Sequence, residues 1–194
     1  MEADWEFEIG GDAPVIEAVW PGFVDLRQSP ERAWQLPEAA QLPALAEALT
    51  KLNAASSPVW TSKCDLWTVV DSAEFDADEL DAPHECAAHA IGCYIDLLPC
   101  CGRPRNASQW ETPAMAAAAC KQVCGLLRAV PLRCCRVDLI IRRAILNSNP
   151  TGLTDLGITA YLTACGPSLA EAAQAIQAAL AAFARVLCAD TTVQ

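Results

Sequence analysis

Basic residues are scarce in this sequence. The 194 residues include 13 lysines and arginines against 24 acids, for a net charge of −11. A chain so acidic repels phosphate backbones, which excludes general nucleic-acid binding. No basic stripe interleaved with aromatics marks a nucleic-acid module either. Histidine occurs only twice, as His84 and His89, so acid–base chemistry built on imidazole has few carriers. Also missing are GxGxxG, a Walker loop, GxSxG and any CxxC pair, which removes the usual signatures of nucleotide, hydrolase and thioredoxin-like sites.

Long uninterrupted apolar runs are lacking too. The longest candidate, Leu169 to Cys188, contains Glu171, Gln174, Gln177 and Arg185, so it predicts an amphipathic helix and no membrane span. The first residues, Met1-Glu2-Ala3-Asp4-Trp5, are acidic where a secretory signal needs positive charge and then an apolar stretch. The expectation is a cytoplasmic protein. Asn106-Ala107-Ser108 matches a glycosylation acceptor, which has no meaning without export. The eleven cysteines are an odd number, which argues against a disulfide framework and for buried, thiol-bearing core residues.

What is present is a hydrophobic fraction of 53%, enough for a real core in a single domain over residues 1–194. Charge is uneven along it. Residues 1–100 carry 19 acids and 4 bases, a balance of −15; residues 101–194 carry 5 acids and 9 bases, a balance of +4. The two ends can attract each other within one fold, or the acidic part can steer a basic partner.

Three helical stretches are predicted. One covers about Pro37–Leu52, with Leu42, Leu45, Leu49 and Leu52 on one face. A second covers about Pro113–Val130, capped by Thr112, with a stripe of Met115, Ala119, Val123, Leu126 and Val130. The third begins after Ser168, whose capping box is completed by Glu171, and carries Leu169, Ala173, Ile176, Leu180, Phe183 and Leu187. A pair of strand-like runs precedes each helix: Trp5–Ile9 and Val15–Val19, Val59–Val70 and Ala90–Leu98, Arg133–Leu146 and Gly157–Cys165. The fold class predicted is therefore α+β. Three strand-strand-helix units, about 5–52, 59–130 and 133–188, would form a mainly antiparallel sheet with the helices on one face. The acidic segment 71–89 is expected to be an exposed loop.

Strand alternation picks out a candidate surface. Ile91, Cys93, Ile95 and Leu97 take one face of their strand; Val137, Leu139 and Ile141, and Ile158, Ala160 and Leu162, do the same in theirs. The opposite face then gathers Trp67, Tyr94, Tyr161, Arg136 and Arg142. Aromatic and arginine side chains on a half-open sheet are suited to binding a second copy, as in a homodimer, or another protein. The expected function is a non-enzymatic binding or self-association module. In this reading Trp67, Tyr94 and Tyr161 anchor the contact and Arg136 and Arg142 set its register.

Two alternatives use the same face. Asp65, Asp96 and Asp138 sit in matching hydrophobe-Asp-Leu triplets; if neighbouring strands brought them together they could hold Mg²⁺ or Mn²⁺ for hydrolysis. A small-molecule site could instead lie between the sheet face and segment 71–89. Two further patterns involve thiols. His84, Cys86 and His89, with Cys100 or Cys101, could surround zinc, although His89 follows His84 by five residues and so departs from the His-Glu-x-x-His pattern. Cys134-Cys135 lies between Arg133 and Arg136, a positive setting for a reactive thiol, with packing the favoured role.

Overall fold

A computed structural model describes residues 1–8, 10, 15–17, 22–69, 75–84, 87–100, 112–146 and 155–189. The fold is α+β. Its strands are β1 (Glu2–Phe7), β2 (Val15–Glu17), β3 (Val59–Val69), β4 (His89–Pro99), β5 (Cys135–Leu146) and β6 (Asp155–Gly166). Its described α-helices are α1 (Pro37–Gln41), α2 (Pro43–Leu52), α3 (Pro113–Arg128) and α4 (Leu169–Cys188). The sheet runs β1-β5-β6-β4-β3, with β2 also paired to β5. The β3–β4, β4–β6 and β5–β6 pairs are antiparallel.

The first two strands depart from expectation. β1 and β2 do not pair with each other; each runs parallel to β5, β1 beside Arg136–Ile141 and β2 beside Ala144–Leu146. The Gly10–Pro14 turn composition therefore does not close a hairpin, and residues 11–14 lie outside the described part. The helical stretch 37–52 is also interrupted. Pro43 has no N–H to continue the first turn, Leu42 is extended at φ −139°, and a new helix starts at Pro43.

One face of the sheet is sealed by helices. Ile91, Cys93, Ile95 and Leu97 of β4, Val137, Leu139 and Ile141 of β5, and Ile158, Ala160 and Leu162 of β6 join one core with α2, α3 and α4. Phe183 of α4 is fully buried in it. In α3 the buried stripe is Ala116, Ala119, Cys120, Val123, Cys124 and Leu127; Met115 and Leu126, expected inside, are 37% and 43% exposed. Two cysteines in this helix act as core hydrophobes and draw the stripe one residue round. Trp34 is 52% exposed. Both predicted caps are present: Thr112 accepts from the Met115 N–H at 3.3 Å, and Ser168 from that of Glu171 at 3.3 Å.

Among the described residues, the other face is covered at its two ends. At one, Val15 closes over Trp60, Leu98 and Ala144. The Ser62 hydroxyl donates to the Ile16 carbonyl there, and the Arg27 guanidinium stacks 4.3 Å from the Trp60 ring centroid. At the other, Ala77, Leu80, Ala82 and Ala87 pack on Ala90 and Cys165. The acidic segment is thus fastened down in its described part, by small apolar residues spaced between its acids. Asp81, in the left-handed region at φ 49°, turns that segment and lies 3.4 Å from Arg133 Nε.

Candidate functional site

Strand register sets the middle of the uncovered face row by row. Trp67 of β3 lies opposite Gly92 of β4, which lies opposite Thr163 of β6 and then Arg136 of β5. The next row is Asp65, Tyr94, Tyr161, Asp138 and, on β1, Asp4. The third is Lys63, Asp96, Thr159, Ile140 and Glu6. Directly opposed residues of a ladder share a face, so these side chains form one continuous surface.

The aromatic side chains touch in series. The Trp67 and Tyr94 ring centroids are 6.4 Å apart and those of Tyr94 and Tyr161 are 6.1 Å apart, both tilted. Arg142 continues the series, its Cζ 5.6 Å from the Tyr161 centroid and its Nη1 donating to the Tyr161 hydroxyl at 3.3 Å. Its Nε lies 2.5 Å from Glu8 Oε2 without the alignment of a hydrogen bond. All of Trp67, Tyr94, Tyr161 and Arg142 therefore come together. Arg136 stands beside them, bound to Asp138 with Nε 2.8 Å from both carboxylate oxygens.

Gly92 explains how Trp67 lies. A Cβ at residue 92 would fall 2.3 Å from Trp67 Cε2, so the indole rests flat on a backbone that no side chain obstructs. A glycine inside a strand marks this sort of close approach. It was visible in the sequence within Ile91-Gly92-Cys93, but only the β3–β4 register names the ring that covers it.

The carboxylates behave differently from one another. Asp65 accepts from the Leu66 N–H at 2.8 Å and Asp4 from the Trp5 N–H at 2.9 Å, one on each edge strand of the sheet. Asp96 is buried, 7% exposed, and accepts from the Thr159 hydroxyl at 2.6 Å. Burial raises its carboxyl above the ordinary value of 3.8, against the opposing pull of Thr159, Lys63 and Arg142. The folded state then holds this proton more tightly than the unfolded chain, so stability falls as pH climbs from 3.8 through the folded value. Asp96→Asn is expected to raise the melting temperature at pH 7, with the gain shrinking towards pH 4. A lower melting temperature at pH 7 would mean that ion pairing to Lys63 or Arg142 outweighs burial. Burial, with Asp96 and Asp65 nearby, also pushes the Tyr94 phenol to about 12, which keeps its hydroxyl proton in place at neutral pH.

The three aspartates considered for a metal do not converge. Asp65 and Asp138 share a row but lie on β3 and β5, three strand spacings or about 14 Å apart. Asp96 lies in the next row and turns to Thr159. Among the described residues no group of three or more histidine, cysteine, aspartate or glutamate side chains could hold a metal ion. Of the zinc candidates, Cys86 and Cys101 lie outside the described residues, and His84 is exposed, 3.9 Å from Asp78.

The thiols are quiet. Burial pushes Cys64 and Cys120 up to about 12 and Cys124 and Cys135 up to about 11, so each stays protonated at neutral pH. The nine cysteines described are all free.

Two hollows adjoin the aromatic row. A depression of about 340 Å³ lies beside Tyr161, floored by Ile140 and rimmed by Asp4, Glu6, Asp138 and Arg136. A cleft of about 450 Å³ runs along β3 from Thr61 to Cys64, facing Phe23, Val24 and Leu36, with Tyr94 at one end. Neither lies between the sheet and segment 71–89, the place considered for a small molecule. No helix among the described residues is long and apolar enough to cross a membrane. Comparison of the chain with protein-family models, with curated proteins and with solved structures finds no match.

Proposed function

We propose that this chain is a non-enzymatic binding or self-association module that works through the uncovered face of its sheet. The observation that carries the reading is the aromatic row. Trp67, Tyr94 and Tyr161 stand in ring contact, with Arg142 stacked at the end, on the face opposite the core that holds α2, α3 and α4. Rigid aromatics and arginine are the residues that dominate contact energies between proteins. Trp67 is 39% exposed.

The partner can be a second copy, giving a homodimer, or another protein. Under the same proposal the chain is cytoplasmic and built as three strand-strand-helix units, of which β3-β4-α3 and β5-β6-α4 correspond most closely: each is an antiparallel pair followed by a helix.

The test is association of the unmodified protein against Trp67→Ala/Tyr161→Ala. Association, with itself in sedimentation velocity or with a partner protein in pull-down, is expected for the first and not for the second, while the far-ultraviolet circular dichroism stays the same. Gly92→Ala should act like Trp67→Ala, because the added methyl must displace the indole without removing a ring or a charge. An unmodified protein that stays monomeric and retains no partner would contradict the reading.

A further inference from the structure

We infer that the uncovered sheet face docks a cationic segment of another protein, one rich in arginine or lysine, whose charged groups meet Asp65, Glu6 and Glu2 while one of them stacks on Trp67. This rests on the proposed use of that face and fixes the chemistry of what it takes. The argument is charge complementarity. Leaving aside buried Asp96, the acids of the three rows are Glu2, Asp4, Glu6, Asp65 and Asp138 and the bases Lys63 and Arg136; Arg142, one row further on, lies beside Glu8. The two arginines are already engaged, Arg136 by Asp138 at 2.8 Å and Arg142 by Glu8 at 2.5 Å. Glu2, Glu6 and Asp65 have no ion-pair partner among the described residues. The surplus on the face is negative, at the two flanks of the aromatic row.

That surplus selects among occupants. A second copy meeting this face with its own would bring like charges together, in a chain that already carries −11. Strand addition at the sheet edges is opposed as well, since on each edge strand an aspartate occupies the next residue's N–H: Asp4 that of Trp5 and Asp65 that of Leu66. What remains is a partner lying across the face. A guanidinium or ammonium group fits there twice, over the Trp67 ring and against a carboxylate, and cation–π attraction strengthens where the carboxylates hold the cation near the ring.

The probe is a decapeptide alternating arginine and threonine, titrated into the ¹⁵N-labelled protein at physiological salt. The same peptide with glutamate for arginine is the control. The arginine peptide is expected to move the Trp67 indole signal and the amides of β3, β4 and β6, and the control to move nothing. Trp67→Ala, which alters no charge, should weaken the arginine peptide by about fivefold or more. Asp65→Asn, whose side-chain oxygen can still accept from Leu66, should weaken it too. Shifts confined to residues 75–84, or an affinity indifferent to Trp67→Ala, would overturn the inference, since either means unspecific attraction to an acidic chain. Failure of the arginine peptide alongside self-association that Trp67→Ala/Tyr161→Ala abolishes would overturn the cationic partner and leave the face as the contact surface. Failure of both peptide and self-association would remove the two together.

Discussion

Phe183→Ala is expected to lower the stability of the fold by about 3–5 kcal/mol, the range for truncating a buried phenylalanine. Phe183 is 0% exposed on α4, the helix that lies against β4, β5 and β6 and beside α2 and α3. Its ring has no water to fall back on, and its neighbours Ile176, Ala179, Leu180 and Leu187 sit on the same rigid helix. The hole left behind cannot close without moving α4 off the sheet. Domains of ordinary size hold about 5–15 kcal/mol in total, so this change consumes a large part of the margin. Urea unfolding followed by circular dichroism measures it. A loss under 1 kcal/mol would mean that α4 does not seal the inner face.

Asn53→Ala is expected to cost about 2–4 kcal/mol, because it strands the buried Thr61 N–H and takes a donor from the Thr61 hydroxyl rather than removing apolar area. Asn53 is 3% exposed just past α2. Its Nδ2 donates to the Leu49 carbonyl at 2.8 Å and to the Thr61 hydroxyl at 2.7 Å, and its Oδ1 accepts from the Thr61 N–H at 3.0 Å. One side chain thereby ends the helix and pins β3 at Thr61, where the β3–β4 register shifts. Everything further along β3, including Asp65 and Trp67, takes its position from that anchor. Asn53→Asp keeps the acceptor but buries an unpaired carboxylate against the Leu49 carbonyl, so at pH 7 it should cost at least as much as alanine. Equal stability of Asn53→Ala and the native protein, by the same unfolding measurement, would show that β3 is held elsewhere.

Alternation made the outer face of the sheet legible from sequence. A strand places its side chains on opposite faces in turn, so Ile91, Cys93, Ile95 and Leu97 going inward sent Tyr94 and Asp96 outward, and the same rule placed Tyr161, Arg136 and Arg142. Capping was legible for a related reason: the Thr112 and Ser168 hydroxyls act on residues three positions away. Pairing between strands was not legible. Nothing local in Trp5–Ile9 or Val15–Val19 says that both would run parallel to a strand more than a hundred residues later. The convergence considered for Asp65, Asp96 and Asp138 failed on the same point, since matching phase gives the face but not the neighbour. The packing of Ala77, Leu80, Ala82 and Ala87 was hidden because these residues, chiefly alanines, contribute little hydrophobicity each and are interspersed with acids.

A two-dimensional NOE spectrum with assigned aromatic and methyl protons tests the central claim most directly. Cross-peaks linking the Trp67 indole to Tyr94 and the Tyr94 ring to Tyr161, with none from these rings to the methyls of Ile176 or Leu180, are the predicted result. Contacts between any of the three rings and those α4 methyls would place them beneath the helices and contradict it.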